Sequence, residues 1–363
     1  MTNVRFDPKP AYEFVLTLVA WATPQRVDSY AVGAPWFAET AERVAEPLRA
    51  RIADLSHGCD HVFSRLLGVA VDLELPGTAR QLRDTVAAMP ASSARLTVLG
   101  YYARRTRRRI DPARIADAVR GERDAVREVL ELTTDGPECE AAMGGVLGRS
   151  DDEVQAMLVE ILDGWDAAVF DEHLTRTRPS LEAEVAHLRS RLQAIGTLPF
   201  LEEVANGTDL LATPALEEIV VFPTWVLRPW NVFWEQRSSL LLGVPVAEHR
   251  ASDDPEAPPD RLVQLAKALG DERRLRLLRR LTTGNFTLQE LADHFGLSKS
   301  TLLHHLVILR SAGIVRVETG PNGRYSLRPG MPVELQRLLD GYLPAVRRVG
   351  VGAPVPSSID ERG

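Results

Sequence analysis

Between Leu262 and Leu327 the chain carries start and stop signals for a series of short elements, and few folds accept that order. Leu262-Val-Gln-Leu-Ala-Lys-Ala-Leu269 has the apolar spacing of a short amphipathic helix and ends at Gly270. Asp271 is placed to cap a second helix over 272–281, with Leu275, Leu278 and Leu281 on one face. After the turn Thr282-Thr-Gly-Asn285, Thr287-x-x-Glu290 has the capping-box pattern for a helix over 288–295. Gly296-Leu297 predicts a tight turn, and Ser298 caps a longer helix over 299–311. Past Gly313, Ile314-Val-Arg-Val-Glu318 and Arg324-Tyr-Ser-Leu327 read as two strands. Thr319-Gly-Pro-Asn-Gly323 joins them, and its Asn-Gly pair is a strong hairpin signal.

Helix, turn, capped second helix and β-hairpin make a winged helix-turn-helix. The second helix of such a motif lies in the DNA major groove with its N-terminal residues toward base edges. Its first turn here carries Ser298, Lys299, Ser300 and Thr301: small donors and acceptors, one phosphate-seeking cation and no acid. Leu303, His304 and His305 follow one turn on, whereas Leu302, Leu306 and Leu309 are spaced to pack inward. Arg324 is expected at the hairpin tip, where an arginine reaches into a minor groove. Charge agrees with this reading. The whole chain is acidic at −7, yet residues 258–348 hold 15 basic and 8 acidic side chains, a net of +7. Residues 1–257 hold 27 and 40, a net of −13. A basic module attracts polyanions, and an acidic partner tempers non-specific binding.

The string Leu265-Ala-Lys-Ala-Leu-Gly-Asp-Glu-Arg-Arg-Leu-Arg-Leu-Leu278, then Thr287-Leu-Gln-Glu-Leu-Ala292, then Leu297-Ser-Lys-Ser-Thr-Leu-Leu-His-His-Leu-Val-Ile-Leu-Arg-Ser-Ala-Gly-Ile-Val315, resembles the ArsR/SmtB family of bacterial transcription regulators. The resemblance covers about 80 residues. It implies a homodimer that binds an operator palindrome and usually represses. The family often has Ser where Leu303 stands, which makes the base contacts here partly apolar. The resemblance also implies two metal-sensing positions, a Cys-x-Cys on the first helix of the motif and an Asp/His and His/Glu set on the last helix. Glu290-Leu-Ala-Asp-His-Phe295 has no cysteine and 332–349 has no histidine, so metal sensing through those positions is excluded. The first 250 residues resemble a domain that precedes such winged helices in high-GC bacteria, on the fusion order and on Val220-Val-Phe-Pro…Arg228-Pro-Trp230.

Ahead of the module, Ala251-Ser-Asp-Asp-Pro-Glu-Ala-Pro-Pro-Asp260 has linker composition. Residues 1–250 show apolar helical spacing over 11–22, 36–55, 62–71, 96–105, 114–132, 154–170 and 181–195. Pro8, Pro24, Pro35, Pro76, Pro112, Pro137, Pro179 and Pro199 punctuate them. Glu218-Ile-Val-Val-Phe222 and Ser239-Leu-Leu-Leu-Gly-Val-Pro-Val246 are β-like and read as a small hairpin. Apolar runs are too short to span a bilayer, and the N-terminus lacks the form of a secretion signal, which reads as cytoplasmic. Two cysteines, Cys59 and Cys139, do not make a disulfide framework.

Three further clusters invite a sharp reading and a bland one. His57-Gly-Cys-Asp-His61 resembles a ligand set, but His57 can end a helix, Gly58 can be its left-handed residue, and Asp60 can cap the next. No metal is expected there. Arg104-Arg-Thr-Arg-Arg-Arg109 reads first as solvated helix-end charge and second as a phosphate contact. Phe222–Trp234 holds three of the six tryptophans. Trp225, Arg228, Trp230, Asn231, Phe233 and Trp234 are candidates for a small organic effector site, against the alternative of core or dimer packing. No nucleophile motif, phosphate loop or HExxH occurs.

The expected fold class is mainly α: a helical effector or dimerisation domain with a small β-hairpin at 1–250, a linker at 251–258, a winged helix-turn-helix at 259–348 and a flexible tail at 349–363. The expected function is a homodimeric transcription regulator, a repressor binding double-stranded operator DNA, responsive to a small organic effector, with no cofactor and no membrane partner. The alternative makes the N-terminal domain an enzyme or a protein-interaction platform that the winged helix positions.

Overall fold

A computed structural model of the protein describes residues 3–134, 136–205, 217–247, 258, 260–317, 323–328 and 330–343. The hairpin tip expected at 319–322, all but Pro258 of the expected linker, and the expected tail lie outside the described residues. The chain is mainly α. In order come β1 Asn3–Phe6, α1 Pro10–Ala22, α2 Gly33–Arg43, α3 Glu46–Ser56, α4 His61–Ser64, α5 Leu67–Ala70, α6 Ala79–Ala88 and α7 Ala91–Val98. There follow α8 Arg104–Arg107, α9 Pro112–Val119, α10 Arg123–Thr133, α11 Pro137–Leu147, α12 Asp151–Trp165, α13 Asp171–Ile195 and α14 Thr197–Val204. Strands β2 Glu218–Thr224, β3 Val232–Gln236 and β4 Ser239–Pro245 close this part. The C-terminal part has α15 Asp260–Leu269, α16 Glu272–Leu281, β5 Phe286–Thr287, α17 Leu288–Phe295, α18 Lys299–Ser311, β6 Val315–Val317, β7 Arg324–Leu327 and α19 Met331–Tyr342.

Helix α1 is apolar on every side and is buried almost throughout from Ala11 to Ala22, so it forms the axis of the helical part. Trp165 of α12 packs against it and donates its indole N–H to Thr17 Oγ1 at 3.0 Å. Glu13, also on α1, is buried and fully occupied. Its carboxylate accepts from Thr224 Oγ1, Trp225 N and Val226 N and faces His173 Nε2, all at 2.9–3.0 Å. One side chain thus ties α1 to α13 and to the end of β2.

The expected hairpin of 218–222 with 239–246 is not formed. β2 and β4 run parallel, in register from Glu218 opposite Ser239 to Thr224 opposite Pro245. The intervening chain turns back as β3, which takes the antiparallel edge of β4. β1 adds parallel to the other side of β2, giving the order β1-β2-β4-β3. Both faces of this sheet are covered. Val220, Phe222, Leu241, Val232 and Trp234 meet the core built on α1 and α12. Ile219, Val221, Leu240, Leu242 and Phe233 meet Phe200, Leu201 and Val204 of α14. Two-sided burial explains the unbroken apolar runs of β2 and β4. Gly243 is required where it stands, since a Cβ there would lie 2.9 Å from Phe222 Cζ and Val232 Cβ.

Other boundaries also differ from the sequence reading. The helix expected over 36–55 breaks between α2 and α3, where Pro47 starts the new helix. Residues 62–71 form two single turns, and 96–105 and 114–132 each divide in two. Helices α12 and α13 instead fuse through a π-helical turn at Asp166–Phe170, and Pro179 lies inside α13 rather than between helices. Cys59 and Cys139 are joined by a disulfide between the α3–α4 turn and α11.

The C-terminal elements pack around their own core, centred on Leu265, Leu277, Leu291, Leu306, Leu309 and Ile314. In α16 the inward face is Leu277, Leu278 and Leu281, while Leu275 is 49% exposed, a register shift from the expected face. β5, β7 and β6 make a three-stranded sheet in that order. No helix among the described residues is long and apolar enough to cross a membrane.

Candidate functional site

Helix α18 is positioned at both ends by local chemistry. Gly296 adopts the left-handed conformation with φ 61°, which ends α17 without the strain a Cβ would bring. Ser298 then caps α18, its Oγ accepting from Thr301 N at 3.2 Å. Upstream, Thr287 and Glu290 form the capping box of α17, and Asp271 accepts from Arg274 N at 3.0 Å to cap α16. At the far end Arg328 Nε donates to Gly313 O at 2.6 Å and Arg261 Nη1 to Ala312 O at 2.8 Å. Both guanidiniums also hold Glu334 of α19, and burial pulls each down to about 10. Leu302, Leu306 and Leu309 fix the inner face, as the spacing requires.

The outer face carries most, not all, of the expected residues. Lys299, Thr301, Leu303 and His304 are exposed, and no acidic side chain lies on α18. Ser300 is in the helix, with its side chain outside the described residues. His305 turns inward and is 9% exposed, so the expected groove contact is corrected to a buried imidazole. Burial pushes its pKa below the usual histidine value, with Asp271 opposing. Arg324 opens β7, just after the segment that lies outside the described residues. It pairs with Thr287 in the sheet, and its guanidinium meets the Glu290 carboxylate at 3.3 Å. Two residues outside the sequence-based set extend the outer face: Val307, exposed four residues after Leu303, and Arg310. The i, i+4 spacing was a usable signal. Leu303 and Val307 give this face an apolar ridge suited to thymine methyl groups.

The six effector candidates do not converge. Trp225 is covered by the Arg228 guanidinium at 3.7 Å, and Arg228 Nε donates to Trp225 O. Trp230 Nε1 donates to Ser29 O and Asn231 Nδ2 to Val204 O. Phe233 and Trp234 point to opposite faces of β3, and Trp234 lines a cavity of about 700 Å³. Arg104 and Arg108, within the cationic run, both meet the carboxylate of Glu235. Asp60 accepts no helix-capping bond and instead meets Arg26 at 2.9 Å. His61 lies close to the two cysteines, whose sulfurs are in the disulfide and so offer no thiolate.

Residues 271–317 match a family model described as bacterial regulatory protein, arsR family. The match runs from the cap of α16 to the end of β6. A curated relative, the transcriptional repressor SdpR of Bacillus subtilis (strain 168), is 39% identical over 49 residues. Those residues are 14% of this chain and 54% of that protein, so the chain spans about half the length of the curated relative it matches. The C-terminal part of the chain therefore carries an ArsR-type helix-turn-helix.

Proposed function

We propose that the protein is a sequence-specific transcription regulator, a cytoplasmic repressor that binds operator DNA as a homodimer. In this reading 259–348 is the reading module, 251–258 the linker, and 1–250 a sensory domain for a small organic effector. The observation that carries it is α18, a capped helix whose exposed Lys299, Thr301, Leu303 and His304 form an acid-free face on a module of net +7. Helices presented in this way enter the major groove with their first turns toward base edges. The similarity to a protein named a repressor supports the regulatory sense.

Dimerisation has a concrete basis in α19. Leu335 and Leu338 pack on the module's own core, while Val333, Leu339 and Tyr342 stay exposed. A pair of modules joined there reads two half-sites. Footprinting of the DNA upstream of the protein's own gene tests the proposal. Two protected, inverted half-sites about one helical turn apart are expected. Uniform protection, or none, contradicts sequence-specific binding.

A further inference from the structure

The cavity of about 700 Å³ lies in the helical part, walled by α5, α6, α7 and β3. Its volume falls in the range of about 300–1,000 Å³ typical of small-molecule sites. Val69, Leu73, Met89 and Trp234 supply its large apolar lining. Trp234 Nε1 is buried and has no hydrogen-bond partner among the described residues. Three carboxylates line the site, Asp72, Glu74 and Asp84. Asp72 and Asp84 are solvent-exposed and meet Arg237 and Arg83, while Glu74 is exposed and has no ion pair among the described residues. Of the two lining arginines, Arg65 is buried and donates into the core, to Val98 O. The lining thus holds three carboxylates against Arg65 and Arg237, a net of −1, within a part of the chain that holds 40 acidic and 27 basic residues. An aromatic wall and a net acidic lining together fit an organic cation with an apolar body.

The cavity wall is also linked to the DNA-reading module. Trp234 stands on β3, whose other face sets Phe233 against α14. Asn231, just before β3, donates to Val204 O at the end of α14. On α14, Glu202 accepts from Arg316 of β6 at 2.7 Å. A shift of β3 therefore has a continuous route of packed and bonded groups to the strand that follows α18.

We propose that this cavity is an effector site for cationic amphipathic organic molecules and that occupancy is relayed through β3, α14 and the Glu202–Arg316 pair to the winged helix. The relay rests on the regulator reading above, whereas the site itself does not. Two dyes with the same three-ring body and opposite charge test it on the full chain: rhodamine 6G and fluorescein, each followed by fluorescence polarisation. Rhodamine 6G is expected to bind. Ala88→Trp, which fills the cavity from an exposed helix position, abolishes binding, and Glu74→Gln with Asp84→Asn weakens it about three- to fivefold per carboxylate. Trp234→Leu, which removes the aromatic wall, also weakens it. Equal or tighter binding of fluorescein overturns the assigned ligand class. Failure of both dyes to bind, or binding that Ala88→Trp leaves intact, overturns the site.

Upstream DNA then tests the relay. Rhodamine 6G is expected to change the affinity of the wild type for that DNA by about fivefold or more, with no change for Ala88→Trp. Glu202→Gln should bind the dye normally and lose the DNA response. A response that survives Glu202→Gln overturns the route. Absence of all DNA binding overturns the regulator reading and the relay with it, while dye polarisation still decides the cavity.

Discussion

Lys299 and His304 sit on the same exposed face of α18 and should behave differently when removed. A lysine beside the first turn neutralises phosphate, a contact that every sequence offers. Lys299→Ala should therefore weaken binding to specific and unrelated DNA alike and reduce the salt slope by about one unit. A ring on the groove face contacts base edges, so His304→Ala should change preference among sequences and leave the slope alone. Competition titrations over a range of salt separate the two effects. His305, one residue on, belongs to the core. Burial lowers its pKa from the ordinary 6.5, so the unfolded chain takes up a proton more readily than the folded one. The stability this neutral imidazole allows is complete above about pH 6.5 and declines as pH falls toward the lowered folded value. Protection factors of α18 amides should drop on going from about pH 7.5 to 5.5, and His305→Gln should flatten that drop.

At the scale of elements, Glu13 makes a strong claim. Four groups from α13 and the end of β2 converge on one buried carboxylate. Glu13→Ala leaves them unpaired inside the protein and should destabilise the helical part by about 3 kcal/mol, measured by tryptophan fluorescence in urea. All six tryptophans lie at or before Trp234, so this signal reports on that part alone. Nothing in the local sequence around Glu13 announces its role, because its partners are more than 150 residues away. Strand β1 is hidden for the same reason: four residues at the N-terminus pair with β2 across more than 200. The caps of α16, α17 and α18 were legible, since a cap is set within four residues. The parallel pairing of β2 with β4 was half legible. Unbroken Ile219–Phe222 and Leu240–Leu242 signal burial on both faces, but the antiparallel partner, β3, is only partly buried and aromatic and reads as connection. His305 was misplaced because Leu302, Leu306 and Leu309 define the inner stripe too narrowly. A residue at its edge is claimed by α16 packing, which the sequence of α18 does not contain.

In the whole molecule an acidic helical part precedes a basic module with an ArsR-type helix-turn-helix, which we propose works as a pair. Leu339 and Tyr342 are, with Val333, the exposed large apolar residues of α19, and Leu339→Glu with Tyr342→Glu should give monomers without unfolding a module whose own core uses Leu335 and Leu338. Light scattering at micromolar concentration should show the mass halved, with half-site affinity lost alongside. The most direct test of the central claim is an equilibrium titration of the full chain against the DNA upstream of its own gene, repeated between about 50 and 200 mM salt. The account predicts tight binding whose logarithm falls linearly with the logarithm of salt, at about −0.9 per phosphate contact, and that exceeds binding to unrelated DNA by at least about a thousandfold. Binding that is absent, insensitive to salt, or equal for unrelated DNA would contradict it.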